Sequence, residues 1–221
     1  MTTLPLRKLD LTPAAFPETS EPLEEVGARE PADAGAAFAF ALSRIAGTDG
    51  RPVALVTTDL WLRERGRPFA RGLGGLRLLW VAVRKEDEAL WALEEVLKSG
   101  AVAGALATVE SVPFVAGRRL DFAAHAGRAT GVILRTSPAR ELSAARRRWR
   151  IGALGSGEAA FDPRAPGPPR WRAELTRRRD GPPGSWDLEQ EDETGRLRVV
   201  AGLADHGVAE DGGGVQTHAA A

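Results

Sequence analysis

The segment from Glu86 to Glu110 is the tightest constraint on how this chain folds. Leu90, Leu93 and Leu97, widened by Val96, recur at helical spacing. Glu86, Asp87 and Glu88 sit at the positive end of that helix, Lys98 near its negative end, and Gly100 supplies the stop. Residues 102–109 then run Val-Ala-Gly-Ala-Leu-Ala-Thr-Val without a polar alternation. A strand that is apolar on both faces needs a layer above and a layer below, which is the situation of a parallel strand covered by helices.

The same unit recurs along the chain. Strands are predicted at 23–26, 53–58, 76–83 and 131–134. Asp33 is a plausible N-cap for a helix carrying Phe38, Leu42 and Ile45, with Gly47 as its stop. A second helix is expected over 61–71, broken by Gly66 and Pro68, with a turn at Gly72–Gly75. A third is expected over 118–126, placing His125 on its exposed side, and Ser137-Pro138 opens another that runs through Glu141 to about Arg147. Beyond it the period changes to two: Trp149/Ile151, Trp171/Ala173/Leu175 and Trp186/Leu188 alternate with polar residues, as half-exposed antiparallel strands do. A proline-rich loop over 161–169, a turn at 180–184 and a last strand at 196–201 complete the pattern. The expected fold class is α/β, a three-layer αβα sandwich whose mixed sheet has a parallel core and antiparallel C-terminal strands. Residues 1–22 read as a flexible leader, 23–203 as the domain and 204–221 as a flexible tail.

Composition excludes several chemistries. There is no cysteine, so disulfides and thiolate metal sites are ruled out, and the histidines at 125, 206 and 218 are too scattered for a zinc site. No metal and no cofactor is expected. No apolar run approaches the roughly 18 residues of a membrane span, and the first residues lack a signal core, so a cytoplasmic location is expected. The net charge of zero hides an asymmetry. Residues 118–179 carry 15 basic and 5 acidic side chains, and residues 180–221 carry 2 and 9. Arginine supplies 27 of the 30 basic residues, and its planar fork suits phosphate and carboxylate partners.

A strand, a loop opening a helix, a strand ending in an acid, the helix–Ser-Gly-Ala-Val–strand unit and a late run of strands resemble the RecA-like core. More narrowly, the chain resembles the ImuA family. The resemblance is carried by Arg65-Gly-Arg-Pro-Phe-Ala-Arg-Gly-Leu73, by residues 91–102, 120–135 and 143–151, and by 169–189, with its unusual Trp, Arg, Gly and Pro spacing. It implies a RecA-like domain acting in error-prone translesion synthesis during the SOS response to DNA damage. The implied partners are an ImuB-like inactive Y-family polymerase protein, RecA and a DnaE-type error-prone polymerase, with DNA contact indirect or weak. The alternatives are a degenerate DNA-dependent ATPase and a SulA-like inhibitor of the division protein FtsZ.

The departure from RecA is specific. A phosphate loop needs G-x-x-x-x-G-K-[ST], whose N–H groups wrap the phosphates while its lysine and hydroxyl serve the γ-phosphate and magnesium. Residues 27–37 hold no lysine and no Ser/Thr, and they add Glu30 and Asp33 where a triphosphate would sit. Asp59 and Glu110, each at a strand end, correspond to vestigial nucleotide-site positions, although acids there also cap helices or meet solvent. No catalytic residue is expected, and the chain is not expected to be an enzyme. Candidate partner- or DNA-binding residues are Arg146, Arg147, Arg148, Arg150, Arg170, Arg172, Arg177, Arg178 and Arg179.

Overall fold

Each strand residue of an α/β sheet must choose one of two faces, and here the alternation sorts them into two cores. In the computed structural model, which describes residues 15–45, 50–69, 73, 76–135, 142–162, 164–179, 181–191 and 197–200, the elements follow the expected order. They are β1 (Leu23–Ala28), a 3-10 turn (Pro31–Asp33), α1 (Ala34–Ile45), β2 (Val53–Thr58), α2 (Asp59–Arg65), β3 (Leu78–Val83), α3 (Glu86–Lys98), β4 (Gly104–Thr108), α4 (Phe114–Gly127) and β5 (Thr130–Arg135). The strands β6 (Arg147–Leu154), β7 (Arg170–Arg178), β8 (Gly184–Gln190) and β9 (Leu197–Val199) follow. They form one nine-stranded sheet in the order β3-β2-β4-β5-β1-β6-β7-β8-β9. Strands β3 to β6 of that order run parallel, and β6 to β9 pair antiparallel. This is the mixed sheet, with a parallel core and antiparallel C-terminal strands, that the pattern predicts.

Val53 and Leu55 of β2 face α1 together with Phe40, Leu42 and Ile45, whereas Ala54 and Val56 face α3 and α4 with Leu93, Leu97 and Leu120. Burying both faces of β2 leaves none of its six residues accessible, which is why its sequence shows no alternation. The helices approach closely where side chains are absent. A Cβ on Gly127, at the end of α4, would lie 1.8 Å from the Leu97 carbonyl oxygen of α3, so only glycine permits this contact.

The strand holding the middle of the sheet is the exception to apolarity. Glu24 and Glu25 of β1 are 0% and 1% exposed and point to opposite faces. On the α1 side, Glu24 accepts from Arg44 Nε (3.0 Å) and Nη2 (2.9 Å), from the Trp149 indole (2.8 Å) and from the Glu21 N–H (2.8 Å). Arg147 lies 3.6 Å away and adds a second cation. On the other side, Arg135 donates to Glu25 at 3.1 Å, and Arg148 approaches its second oxygen at 3.5 Å.

Several boundaries differ from expectation. Residues 142–146 are not helical: the Arg146 N–H already donates to the Leu23 carbonyl (3.0 Å), so the chain enters the sheet here. The earlier part of that expected helix, 136–141, lies outside the described residues, as do Gly47, Gly72, Gly74, Gly75, Asp180 and the tail 204–221 with His206 and His218. Helix α4 starts at Phe114, with Pro113 as its N-cap, four residues earlier than expected. Helix α2 stops at Arg65 because Gly66 adopts φ 74°, and it does not reach Arg71.

The expected leader also ends sooner. Residues 1–14 lie outside the described residues, but 15–22 are tied to the domain. Phe16 packs against Trp149 and Trp186, and Arg44 donates to the carbonyls of Pro17 (2.9 Å) and Thr19 (2.8 Å). Glu24 therefore organises one buried arginine, which in turn holds a stretch of chain with no regular structure.

Removing one partner of a buried ion pair strands the other charge, at a cost of about 3–5 kcal/mol. Glu24→Ala is expected to destabilise the protein by that much in urea unfolding. The companion change Arg44→Met should recover part of it; a single-variant cost below about 1 kcal/mol would show that water reaches the site.

Candidate functional site

The corner where a RecA-like protein grips triphosphate lies between the end of β1 and the start of α1. Here the connection is short and closed by the protein's own groups. The Arg29 N–H donates to the Ile151 carbonyl (2.8 Å), which sends the chain across toward β6. The Arg29 guanidinium lies over Gly152, where an added Cβ would meet its Cζ at 3.1 Å. Asp33, 8% exposed, accepts from the Glu30 N–H (3.0 Å) and from the Ala153 N–H of β6 (2.8 Å). Its carboxylate thus occupies the positive end of the first helical turns, the place an anion would otherwise take. Pro31 has no N–H to offer.

Asp59 and Glu110, the positions expected to be vestigial, come to neighbouring strand ends, since β2 pairs with β4. Asp59 is the first residue of α2, half-buried, next to the N-cap Thr58, whose hydroxyl accepts from the Trp61 N–H (3.2 Å). Glu110 is exposed just beyond β4. Its N–H donates to Glu86 (2.8 Å), and its carbonyl accepts from Arg135. Among the described residues no group of three or more His, Asp or Glu side chains is placed to hold a metal ion.

The expected arginine set is divided by the sheet. Arg147 points to the α1 side, is 3% exposed and joins the Glu24 network with Glu21 at 3.2 Å. Arg146 bonds Asp121 of α4 (3.0 and 3.3 Å), and that hydrogen bond holds its guanidinium above the usual arginine range. Arg172 is raised in the same way by Asp187 (2.8 and 3.0 Å). Arg170 donates to Glu189 at 2.7 Å across the β7–β8 pair, with Arg198 on the other carboxylate oxygen. Arg178 packs by Gly181 at the end of β7, and Arg179 is exposed beyond it.

Arg148, Arg150 and Arg177 do meet. Together with Arg135, which the sequence reading did not single out, they line a cleft of about 390 Å³ over β1, β6 and β7, with Glu25 at its base. Arg150 is exposed, and Arg177 also donates to the Ser143 carbonyl (2.9 Å). Four guanidinium groups around one carboxylate leave a net positive cleft, suited to an anionic surface. Glu24, Glu25, Arg44 and Arg135 escaped the sequence reading. The available signal was two adjacent acids inside a strand that every neighbour requires to be buried.

The comparisons with known proteins bear on this arrangement. The chain is 39% identical to Protein ImuA from two strains of Caulobacter vibrioides, over 88% of this chain and 87% of that protein. The chain belongs to the ImuA family. No family model matches it. Among solved structures, the crystal structure of SulA from Pseudomonas aeruginosa is similar at 22% identity and a TM-score of 0.42, covering 52% of this chain and 98% of that one. A likeness at that level carries no weight for function. The ImuA-family chain has no helix among its described residues long and apolar enough to cross a membrane.

Glu189 supplies a pH test of the ion pairs beneath the arginines. Its hydrogen bonds to Arg170 and then Arg198 hold its carboxyl below the usual carboxylate range, against an opposing push from burial. A carboxyl lowered in the folded state stabilises above its unfolded value, near pH 4.3, and loses that contribution as pH falls through the folded value. The stability difference between the native chain and Glu189→Gln should therefore be constant above about pH 5 and shrink below about pH 4. A difference that grows on acidification would contradict the assignment.

Proposed function

We propose that this ImuA-family chain is a non-catalytic RecA-fold scaffold of error-prone translesion DNA synthesis, acting in the cytoplasm during the SOS response. It docks to an ImuB-like inactive Y-family polymerase protein, and through that assembly meets a DnaE-type error-prone polymerase and RecA at damaged DNA. Membership of the ImuA family supports the setting. The single observation that carries the absence of chemistry is Asp33: its carboxylate is bonded to two backbone N–H groups at the corner that a triphosphate would need. A second carboxylate, Glu30, stands beside it, so a phosphate entering there meets repulsion without a lysine to offset it.

The arginine cleft is the docking surface in this reading. Arg148, Arg150, Arg177 and Arg135 would receive carboxylates of the partner, with Arg178 and Arg179 extending the basic surface past the end of β7. Arg146, Arg147, Arg170 and Arg172 stand outside the cleft, each tied to an acidic residue of this chain. Protein is favoured over DNA because the connections on this side offer few stacking aromatics, Phe114 being the exception near α4.

Co-expression with an ImuB-like protein tests the reading. The native chain should retain the partner through purification. Arg150→Glu with Arg177→Glu should weaken retention at least about tenfold, a change of about 1.4 kcal/mol, without shifting the thermal unfolding midpoint. Unchanged retention in the double variant would remove the cleft from the interface. Turnover of ATP by the purified native chain, lost on Asp59→Ala or Glu110→Ala, would overturn the non-catalytic half. If the cleft serves DNA, affinity should fall with salt by about 0.9 log units per phosphate neutralised, for each tenfold rise in salt.

A further inference from the structure

A second concave site lies on the α1 side of the sheet, apart from the arginine cleft. Its volume is about 330 Å³, and it is walled by Phe38 of α1, Trp61 of α2 and Leu134 of β5. Its rim carries Arg65, Arg67 and Arg135, and its floor includes Gly35 and Pro68. Phe38 and Trp61 pack on each other, ring centroids 5.8 Å apart and 31° between planes, and both remain partly accessible. This is the corner beside the start of α1 that the closed phosphate connection leaves behind.

Two cations of this rim, Arg65 and Arg67, differ from Arg135, which pairs with Glu25, and from the other paired arginines. Arg44, Arg146, Arg147, Arg148, Arg170 and Arg172 each have a carboxylate partner. Among the described residues, none pairs with Arg63, Arg65 or Arg67, and all three are exposed. Arg67 is held instead over the Trp80 ring, 5.6 Å from its centroid, and the Trp80 indole is fixed by Thr57 (3.0 Å). Its charge is positioned without being neutralised. The same short stretch exposes Leu60 (62%) and Phe69 (74%). An apolar socket beside unneutralised arginines has the composition of an interface anchor site, with a desolvated centre and a charged rim.

We propose that this socket takes one bulky apolar side chain from an extended acidic segment of a partner protein. The anchor seats against Phe38, Trp61 and Leu134, and flanking carboxylates meet Arg65 and Arg67. The occupant follows from charge and size. The volume lies at the low end of the roughly 300–1,000 Å³ of ligand pockets, enough for a side chain and too small for a helix. Phosphate-bearing ligands fit less well, because the Asp33 carboxylate places negative charge directly before Ala34 and Gly35 of the lining. The Phe38–Trp61 contact also closes the gap in which a base would stack. The two sites share only Arg135, and the proposal rests on Phe38, Trp61, Arg65 and Arg67, none of which lines the arginine cleft.

The test uses the full chain and a displayed library of random short peptides, with labelled oligothymidylate as a second probe. Selected peptides should share an aromatic or leucine anchor flanked by aspartate or glutamate. Two variants then report on the site. Gly35→Leu adds a side chain at an exposed lining position where the glycine has nothing within 4 Å, so it narrows the socket without a clash and with better helix propensity. Arg65→Glu with Arg67→Glu reverses the rim at exposed positions. Each should weaken the selected peptides at least tenfold, while Arg150→Glu with Arg177→Glu leaves them unchanged. Failure to enrich acidic anchored peptides, or binding indifferent to Gly35→Leu and to the rim reversal, overturns the proposal. So does oligothymidylate binding more tightly than any peptide with loss on rim reversal, which would reassign the socket to nucleic acid.

Discussion

Two carboxyl groups side by side in the central strand set the terms for the rest of this fold. Glu24 and Glu25 are desolvated on opposite faces, and neither is tolerable there without a cation. Arg44 and Arg147 approach Glu24 from one side, and Arg135 and Arg148 approach Glu25 from the other. These arginines come from α1, β5 and β6, so satisfying two adjacent residues of β1 registers three other elements on it. The Trp149 indole and the Glu21 N–H fill the remaining acceptor positions of Glu24. Such a network contributes little net stability compared with a well-packed apolar core, but it penalises any other register of β6 on β1. The chain before β1 is ordered by the same means, through Arg44 and its carbonyl partners.

The closed phosphate corner and the apolar socket are two results of one substitution of roles. In a nucleotide-binding relative, the start of α1 would present free N–H groups to an anion. Here Asp33 accepts instead from the Glu30 N–H and from the Ala153 N–H, which ties the turn before α1 to β6. The space next to it is left lined by Phe38, Trp61 and Leu134 rather than by phosphate ligands.

Much of the fold was legible in the order of residues, because apolar runs and their punctuation report local burial directly. The strands at 53–58 and 131–134, the helix ending at Gly100 and the period-two strands around Trp149, Trp171 and Trp186 lie where the pattern puts them. The misplaced helix over 142–146 has a simple cause. Ser143 to Arg146 has acceptable helix formers, but Arg146 finds a backbone acceptor on Leu23, distant in sequence, and sheet pairing wins over propensity. The start of α4 was missed because Pro113 serves as its N-cap without the side-chain bond that usually announces one.

The sequence by itself determined the layered α/β architecture, the lack of a phosphate-gripping loop and the concentration of arginine in the second half, since each is a property of nearby residues. Only the tertiary structure decided which arginines are available. Arg147 and Arg150 are three residues apart, yet one is buried against Glu24 and the other opens on a cleft, because odd and even positions of a strand face opposite sides of the sheet. It also decided that Arg135 joins Arg148, Arg150 and Arg177, and that Arg65 and Arg67 stand beside an apolar socket with no carboxylate partner among the described residues. Charge counted along a chain gives a sum, whereas pairing depends on which groups the sheet order brings within a few ångströms.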